Sequence, residues 1–334
     1  MRLMVGGTLV FLLFITALFI SGCTEGSLNE GGDGNGSNLV FDYSLSWSPD
    51  SSLLAYISNS SVVIRNISTG KIKQLSGTGY YDDPSWSPDS IKIAYTSASS
   101  FDTRPAIWVK NADGSNIPKS LTLDPSASYH PRWSPDGKLI TFNSYRKGNM
   151  DIWIKNSDAT GDEKQLASDP ESDQNAEWSP DGTKLAFESK RAGNSDIWLV
   201  DAKGVNPPVQ ITSESSEDTK PLWSYDGSKI AFYSDRFDIK GIWVKNSDGT
   251  GEAVHVTFGF ADANSHSWSA DGKYIAFVSS NTVYLKKSDG TGDVITIGKG
   301  LEPHFSPDGK RIAYIAYENN RYNVKIINVP TELN

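Results

Sequence analysis

The chain of 334 residues holds a single cysteine, Cys23, so no intramolecular disulfide can form, and one Cys with four His cannot build a cysteine-rich zinc site. Positive charge is in deficit: 31 Lys and Arg stand against 40 Asp and Glu, a formal net charge of −9. No basic surface dominates, which argues against a nucleic-acid partner. Catalytic strings are missing too. There is no Gly-x-Ser-x-Gly elbow, no His-Glu-x-x-His and no phosphate loop, so no catalytic residue is assigned, although a site assembled from distant segments would leave no such string. Long apolar runs are scarce, the one clear case being Leu9 to Ile20. What is plentiful is Gly (29), Pro (16) and Trp (10), the composition of a turn-rich globular chain. The length suggests two domains or one large all-β or α/β domain.

The apolar run follows Arg2 and ends in the small residues Ser21 and Gly22 before Cys23, the layout of a secretory signal. It is short for a membrane-spanning helix. Ile20-Ser21-Gly22-Cys23 resembles the lipobox of prokaryotic lipoproteins, which implies removal of residues 1–22 and lipidation of Cys23. An uncleaved anchor is the alternative. Either way the remainder lies outside the cytoplasm, at a cell surface or in a periplasm, held to the membrane at its N-terminus. Without residues 1–22 the chain has 30 basic and 40 acidic residues, a net charge of −10. Residues 24–38 are rich in Gly, Ser and Asn and lack apolar periodicity, so 23–38 reads as a lipidated cysteine plus flexible tether reaching roughly 20 Å. Residues 39–334 form the folded part.

That part is an internal repeat. Trp-Ser-Pro-Asp or a close variant begins at Trp47, Trp86, Trp133, Trp178, Trp223, Trp268 and Phe305, in steps of 39, 47, 45, 45, 45 and 37 residues. Eight residues after each aromatic stands a small residue: Ala55, Ala94, Thr141, Ala186, Ala231, Ala276 and Ala313. Ser-Pro-Asp-Gly suits a type I turn between antiparallel strands, with Pro second and Gly fourth. The short apolar run after it is a second strand whose small residue marks close approach of another sheet. Ile107-Trp108, Ile152-Trp153, Ile197-Trp198, Ile242-Trp243 and Val283-Tyr284 mark a third, and segments such as Gln165-Leu166 and Gln210-Ile211-Thr212 a fourth. Four strands in about 42 residues is a propeller blade. The ten Trp occupy two repeat positions and are expected in the core.

The unit from Trp178-Ser-Pro-Asp-Gly through Ala186-Phe187, Asp196-Ile197-Trp198 and Gln210-Ile211-Thr212 resembles the WD40-like PD40 repeat of TolB-type β-propellers, over about residues 39–330. The resemblance implies an all-β, seven-bladed propeller of four-stranded antiparallel blades. It does not fix function, because such propellers serve both as binding platforms and as accessory domains of enzymes. TolB itself carries an N-terminal α/β domain; here the tether stands in that place, so the Tol-Pal role is not implied. Little chain follows Val324-Lys325-Ile326-Ile327, and Leu39-Val40-Phe41 precedes the first motif, so Leu39-Val40-Phe41 is expected to pair as the outer strand of the last blade and close the ring.

Three residues before each repeat aromatic stand Ser44, Asp83, His130, Asn175, Lys220, Ser265 and Glu302, polar in every blade, and the next position is Pro in four of seven. They are expected to form an uneven polar ring at one channel mouth that reads a partner or ligand, or else simply solvate their loops. His130, His266 and His304 lie at offsets of three, two and one, which disfavours a shared metal centre; His255 belongs to an outer strand. The acid pairs Asp82-Asp83 and Glu217-Asp218 are expected in solvated inter-blade loops; calcium there has no supporting spacing, and no cofactor is assigned. The loops after the second strands carry Phe101-Asp102-Thr103-Arg104, Tyr145-Arg146-Lys147, Lys190-Arg191 and Asp235-Arg236-Phe237-Asp238, either as interface residues or folded back with Arg paired to the following Asp. The reading is a monomeric, non-catalytic platform for another envelope protein. The alternative is a carbohydrate- or small-molecule-binding, hydrolytic or lyase propeller using the same mouth.

Overall fold

The computed structural model describes residues 42–77, 79–98, 104–122, 126–260, 262–318 and 321–330. The signal, Cys23, the tether, Leu39-Val40-Phe41 and Phe101-Asp102-Thr103 lie outside the described residues. Seven antiparallel sheets follow one another along the chain, each in the strand order inner, second, third, outer. The inner strands are Asp42–Trp47, Tyr80–Trp86, Ser128–Trp133, Asp173–Trp178, Asp218–Trp223, Asn264–Trp268 and Leu301–Phe305. They define blades 1 to 7. Six sheets have four strands, and the seventh has three among the described residues.

Each Ser-Pro-Asp turn is wired in the same way. In blade 3, Ser134 Oγ donates to Asp136 Oδ1 at 2.7 Å and accepts the Leu139 N–H at 2.9 Å, while the Gly137 N–H closes the turn on the Ser134 carbonyl at 2.9 Å. Gly137 adopts φ 73, the left-handed conformation the turn requires. Blades 1 and 2 place Ser51 and Ser90 there, at φ 60 and 62, and use their hydroxyls to accept the Asp308 and Asp50 N–H groups of the neighbouring turns. The carboxylates gain from this wiring: the Ser134 hydroxyl, then the Lys138 N–H, hold Asp136 below the usual carboxylate range.

The core is divided into seven inter-blade layers rather than one centre. Ala186, Ile197, Leu199 and Ile211 of blade 4 pack on Trp223, Ile230, Phe232 and Trp243 of blade 5. The same arrangement joins every adjacent pair, and Leu45, Trp47, Leu54, Tyr56 and Val63 of blade 1 meet Ala313, Ile315 and Val324 of blade 7, closing the ring. The repeated small residue sits where it was expected, fully buried at Ala94, Ala186, Ala231, Ala276 and Ala313, each within the layer shared with a neighbouring blade. The six motif tryptophans are buried, and five of them stitch the ring as well as filling it. The indole N–H of Trp86, Trp178, Trp223, Trp268 and Trp47 donates to the carbonyl of Ser46, Arg132, Glu177, Leu222 and His304, in the preceding or, for Trp47, last blade, at 3.0 to 3.2 Å.

Candidate functional site: the channel mouth

Inner strands line the channel, and in all seven the pairing with the second strand slips at the same place. In blade 3, Tyr129 pairs with Asn143 and Arg132 with Thr141, leaving His130 and Pro131 opposite one residue. This is a β-bulge, and Pro fits it because no ladder N–H is needed there. The residue that starts each bulge is Ser44, Asp83, His130, Asn175, Lys220, Ser265 or Glu302, and every one is left-handed, with φ between 43 and 56. The seven positions that the repeat spacing picked out share this backbone. Its cause is a bulge that swings these side chains out of strand register around the channel.

The ring is crosslinked unevenly. His130 Nδ1 pairs with Asp83 Oδ2 across blades 3 and 2. Ser44 Oγ donates to Asp82 Oδ1 at 2.7 Å, and the Ser44 N–H donates to Glu302 Oε2 at 3.1 Å, joining blades 1, 2 and 7. Asn175 Nδ2 donates to Glu188 Oε1 at 2.8 Å, and the same oxygen accepts the Lys220 N–H. Lys220 keeps its side chain exposed. Ser265 adds a hydroxyl, and no pairing ties it to the others.

Sequence reasoning missed three members of this network. Arg132 Nε donates to Glu177 Oε1 at 2.7 Å, one repeat apart and one residue before their tryptophans, so aligning that position would have paired them. Glu188 is an acid directly after the apolar Leu185-Ala186-Phe187 of its second strand and was equally visible. The acid pairs need correction. Asp82, Asp83 and Asp218 lie within inner strands, with Glu217 just before one, and Asp218 is fully buried against Arg236. Asp82, Asp83 and Asp218 are internal partners, not solvated loop residues, whereas Glu217 stays exposed in its loop.

Burial sets the charge of the site. Glu302 is pushed up to about 7 by burial, which the Ser44 N–H only partly offsets, and Asp82 and Asp83 add repulsion. Burial and the Asp83 charge raise Asp82 as well. Burial would raise Asp83, but its pairing with His130 outweighs that and holds it low. His130 answers in kind: burial would lower it, and the Asp83 carboxylate raises it. His304 and His266 are pressed down to about 4, by burial together with Arg132 and Lys220 respectively. His130 is thus an ion-pair partner, whereas His266 and His304 are neutral imidazoles at pH 7. Among the described residues no group of three or more His, Asp or Glu is placed to hold a metal ion.

In three of the charged loops the arginine folds back on its blade, though not onto the following Asp. Arg191 reaches Asp173 at 2.7 Å and Arg236 reaches Asp218 at 2.6 Å, both at the start of the inner strand, while Arg146 pairs with Glu163. Each guanidinium also lies over a Phe and a Trp, as Arg236 does over Phe232 at 5.1 Å and Trp243 at 4.9 Å.

Several solved structures share this architecture. A TolB-designated protein from Agrobacterium tumefaciens is 22% identical over 87% of this chain and 91% of its own, with a TM-score of 0.53. Hydrazine synthase from Kuenenia stuttgartiensis is 16% identical over 90% and 98%, with a TM-score of 0.71. An oligogalacturonate lyase in complex with manganese is 17% identical over 89% and 79%, with a TM-score of 0.57. At these identities the likeness is one of fold. No curated protein matches the chain. The TolB β-propeller model of the PD40 family matches residues 35–167 and 106–296, the span over which the Trp-Ser-Pro-Asp turns and the layered blades recur, and the chain is therefore a member of the PD40 family of TolB β-propeller domains.

Proposed function

We propose that the protein is a lipid-anchored, extracytoplasmic, monomeric binding platform without catalytic activity, and that its polar channel mouth engages another protein of the cell envelope. The observation that carries this reading is the ring of seven left-handed bulges, which repeats its backbone in every blade while presenting Ser, Asp, His, Asn, Lys and Glu side chains. An uneven constellation on a rigid ring discriminates among partners by charge register, the property a docking site needs. Lipidation at Cys23 and a tether of roughly 20 Å would hold this mouth near the membrane while leaving it free to turn.

The test is crosslinking in intact cells with the native chain as bait beside a variant carrying Asp83→Asn, His130→Asn, Lys220→Asn and Glu302→Asn. Asn tolerates the left-handed conformation these positions adopt, so the variant removes charge while keeping the bulges. Capture of one envelope protein by the native chain and its loss from the variant is the expected result. Equal capture would remove the mouth from the account. Saturable binding of an oligosaccharide or small molecule, lost in the variant and with no protein captured, would favour the ligand-binding or lyase alternative.

A further inference from the structure

The repeat allows the outer rim to be compared position by position, and blade 5 departs from its neighbours. In blades 3 and 4 the loop after the second strand carries Asn149 or Asn194, which ties down the loop entering the next blade. Asn149 Nδ2 donates to the Asp169 and Glu171 carbonyls at 2.9 Å, and Asn194 Nδ2 to those of Glu214 and Ser216. The third strand then opens on Asp151 or Asp196, which accepts from Gln165 Nε2 at 2.7 Å or Gln210 Nε2 at 2.9 Å. Blade 5 keeps Arg236 but replaces the rest. Ile239 stands for the Asn, Gly241 for the Asp, His255 for the Gln, Phe258 for Ser168 and Ser213, and Phe237 for Lys147 and Ala192.

These replacements interlock. The His255 ring stacks on Trp243 with centroids 4.5 Å apart and planes 7° from parallel, Phe258 meets His255 edge-on at 5.9 Å, and Phe237 leans on Trp243 at 6.2 Å. Gly241 admits the imidazole, since a Cβ there would collide with His255 Nε2 and Thr257 Oγ1. The result is an aromatic shelf whose outer members, Phe237 and Phe258, are each 75% exposed, with Ile239 at its edge. Phe237 and Asp238 both adopt φ 58, where blades 3 and 4 place Gly148 and Gly193 opposite Asp238. A bulky residue held left-handed and exposed is disfavoured unless the display itself is useful. Three carboxylates fringe the shelf, Asp235, Asp238 and Glu217, whose N–H donates to Asp235 Oδ1 at 2.8 Å, against two lysines, Lys190 at 3.9 Å from Glu217 and the exposed Lys240, so the fringe keeps a net negative charge. Arg236 is already engaged by Asp218.

We propose that this shelf is a second docking surface, for a segment of a partner protein that carries apolar side chains flanked by Lys or Arg. The aromatic faces supply apolar contact and cation–π attraction. The acidic fringe favours a basic segment and repels an acidic one. This surface shares no residue with the channel mouth and stands or falls independently of it.

A phage-displayed library of short random peptides, selected on the full chain, tests the proposal. The control grafts the blade 4 rim onto blade 5 through Phe237→Ala, Asp238→Gly, Ile239→Asn, Gly241→Asp, His255→Gln and Phe258→Ser. Enriched peptides should combine Leu, Ile or Phe with Lys or Arg, lose affinity as salt rises, and bind the graft at least ~10-fold more weakly. The single change Phe258→Ser, at an exposed side chain, should weaken them several-fold without altering the melting temperature. Acidic or uncharged winners, no enrichment, or equal binding by both variants and the native chain would overturn the proposal. So would oligosaccharide binding that the native chain shows and the graft loses, which would make the shelf a glycan site.

Discussion

Blades 3, 4 and 5 repeat an arginine over a Phe and a Trp with nearly the same geometry, whereas the inner-strand bulges repeat a backbone conformation in seven blades and vary the side chain. The difference lies in what surrounds each group. The guanidinium of Arg236 is sealed between two rings and bonded to the fully buried Asp218, so a change of residue would strand a charge away from water. The bulge side chains pair differently from blade to blade, His130 with Asp83, Asn175 with Glu188 and Glu302 with the Ser44 N–H, while Lys220 stays exposed, so their backbone is constrained and their chemistry varies. A molecule built this way keeps its shape through the first set and can differ from other propellers in what it binds through the second.

The sharpest way to break this comparison is Asp218→Ala, which leaves Arg236 buried and unpaired. It should cost about 3 to 5 kcal/mol in a urea denaturation series, against roughly 1 kcal/mol or less for Lys92→Ala, an exposed surface residue of the second strand. A loss below about 1 kcal/mol would mean the clamp is not what fixes the blade. Next come the bulges. Lys220→Gly should stabilise the fold by up to about 1 kcal/mol by relieving a left-handed non-glycine residue, while Lys220→Ile should destabilise it by about 1 to 2 kcal/mol, because a β-branched side chain fits that conformation poorly. Equal effects of the two would show that the bulge is not held left-handed.

A smaller contrast separates two equivalent tryptophans. Trp268→Phe removes an indole N–H that donates to Leu222 O at 3.0 Å, whereas Trp133 Nε1 is buried without a hydrogen-bond partner. The two changes remove similar volume, so Trp268→Phe should cost about 1 kcal/mol more than Trp133→Phe in the same denaturation assay. A further contrast is in pH. Burial raises Glu302 from 4.5 to about 7, so the folded chain holds more protons than the unfolded one between those values, and stability should fall as pH rises through that window. Glu302→Gln should flatten that slope, and an unchanged slope would place the titration elsewhere.

Much of this was legible in the sequence because a propeller writes each blade out again. The turn, the buried small residue and the aromatic recur at fixed offsets, so strand order and blade number followed from spacing. The same alignment picked out the seven positions expected at the mouth, but not the left-handed bulge they share, because nothing in Ser44, Lys220 or Glu302 announces φ above zero as a glycine would. The acid pairs were misplaced because Asp218 looks like any loop acid until Arg236, 18 residues away, closes on it. The rim of blade 5 was open to reading, since Gly241 and His255 break the Asp and Gln pattern of blades 3 and 4, yet the break has meaning only once Trp243 is seen beneath the imidazole.

The central claim, that the polar mouth is the face which meets an envelope partner, is tested most directly by placing a photo-crosslinking residue at Ser265, within the ring, or at Asp136, in a Ser-Pro-Asp turn, in otherwise native chains in living cells. The account predicts one discrete envelope-protein adduct from position 265 and none from 136. The same adduct from position 136, with none from 265, would contradict it and move binding to the turns.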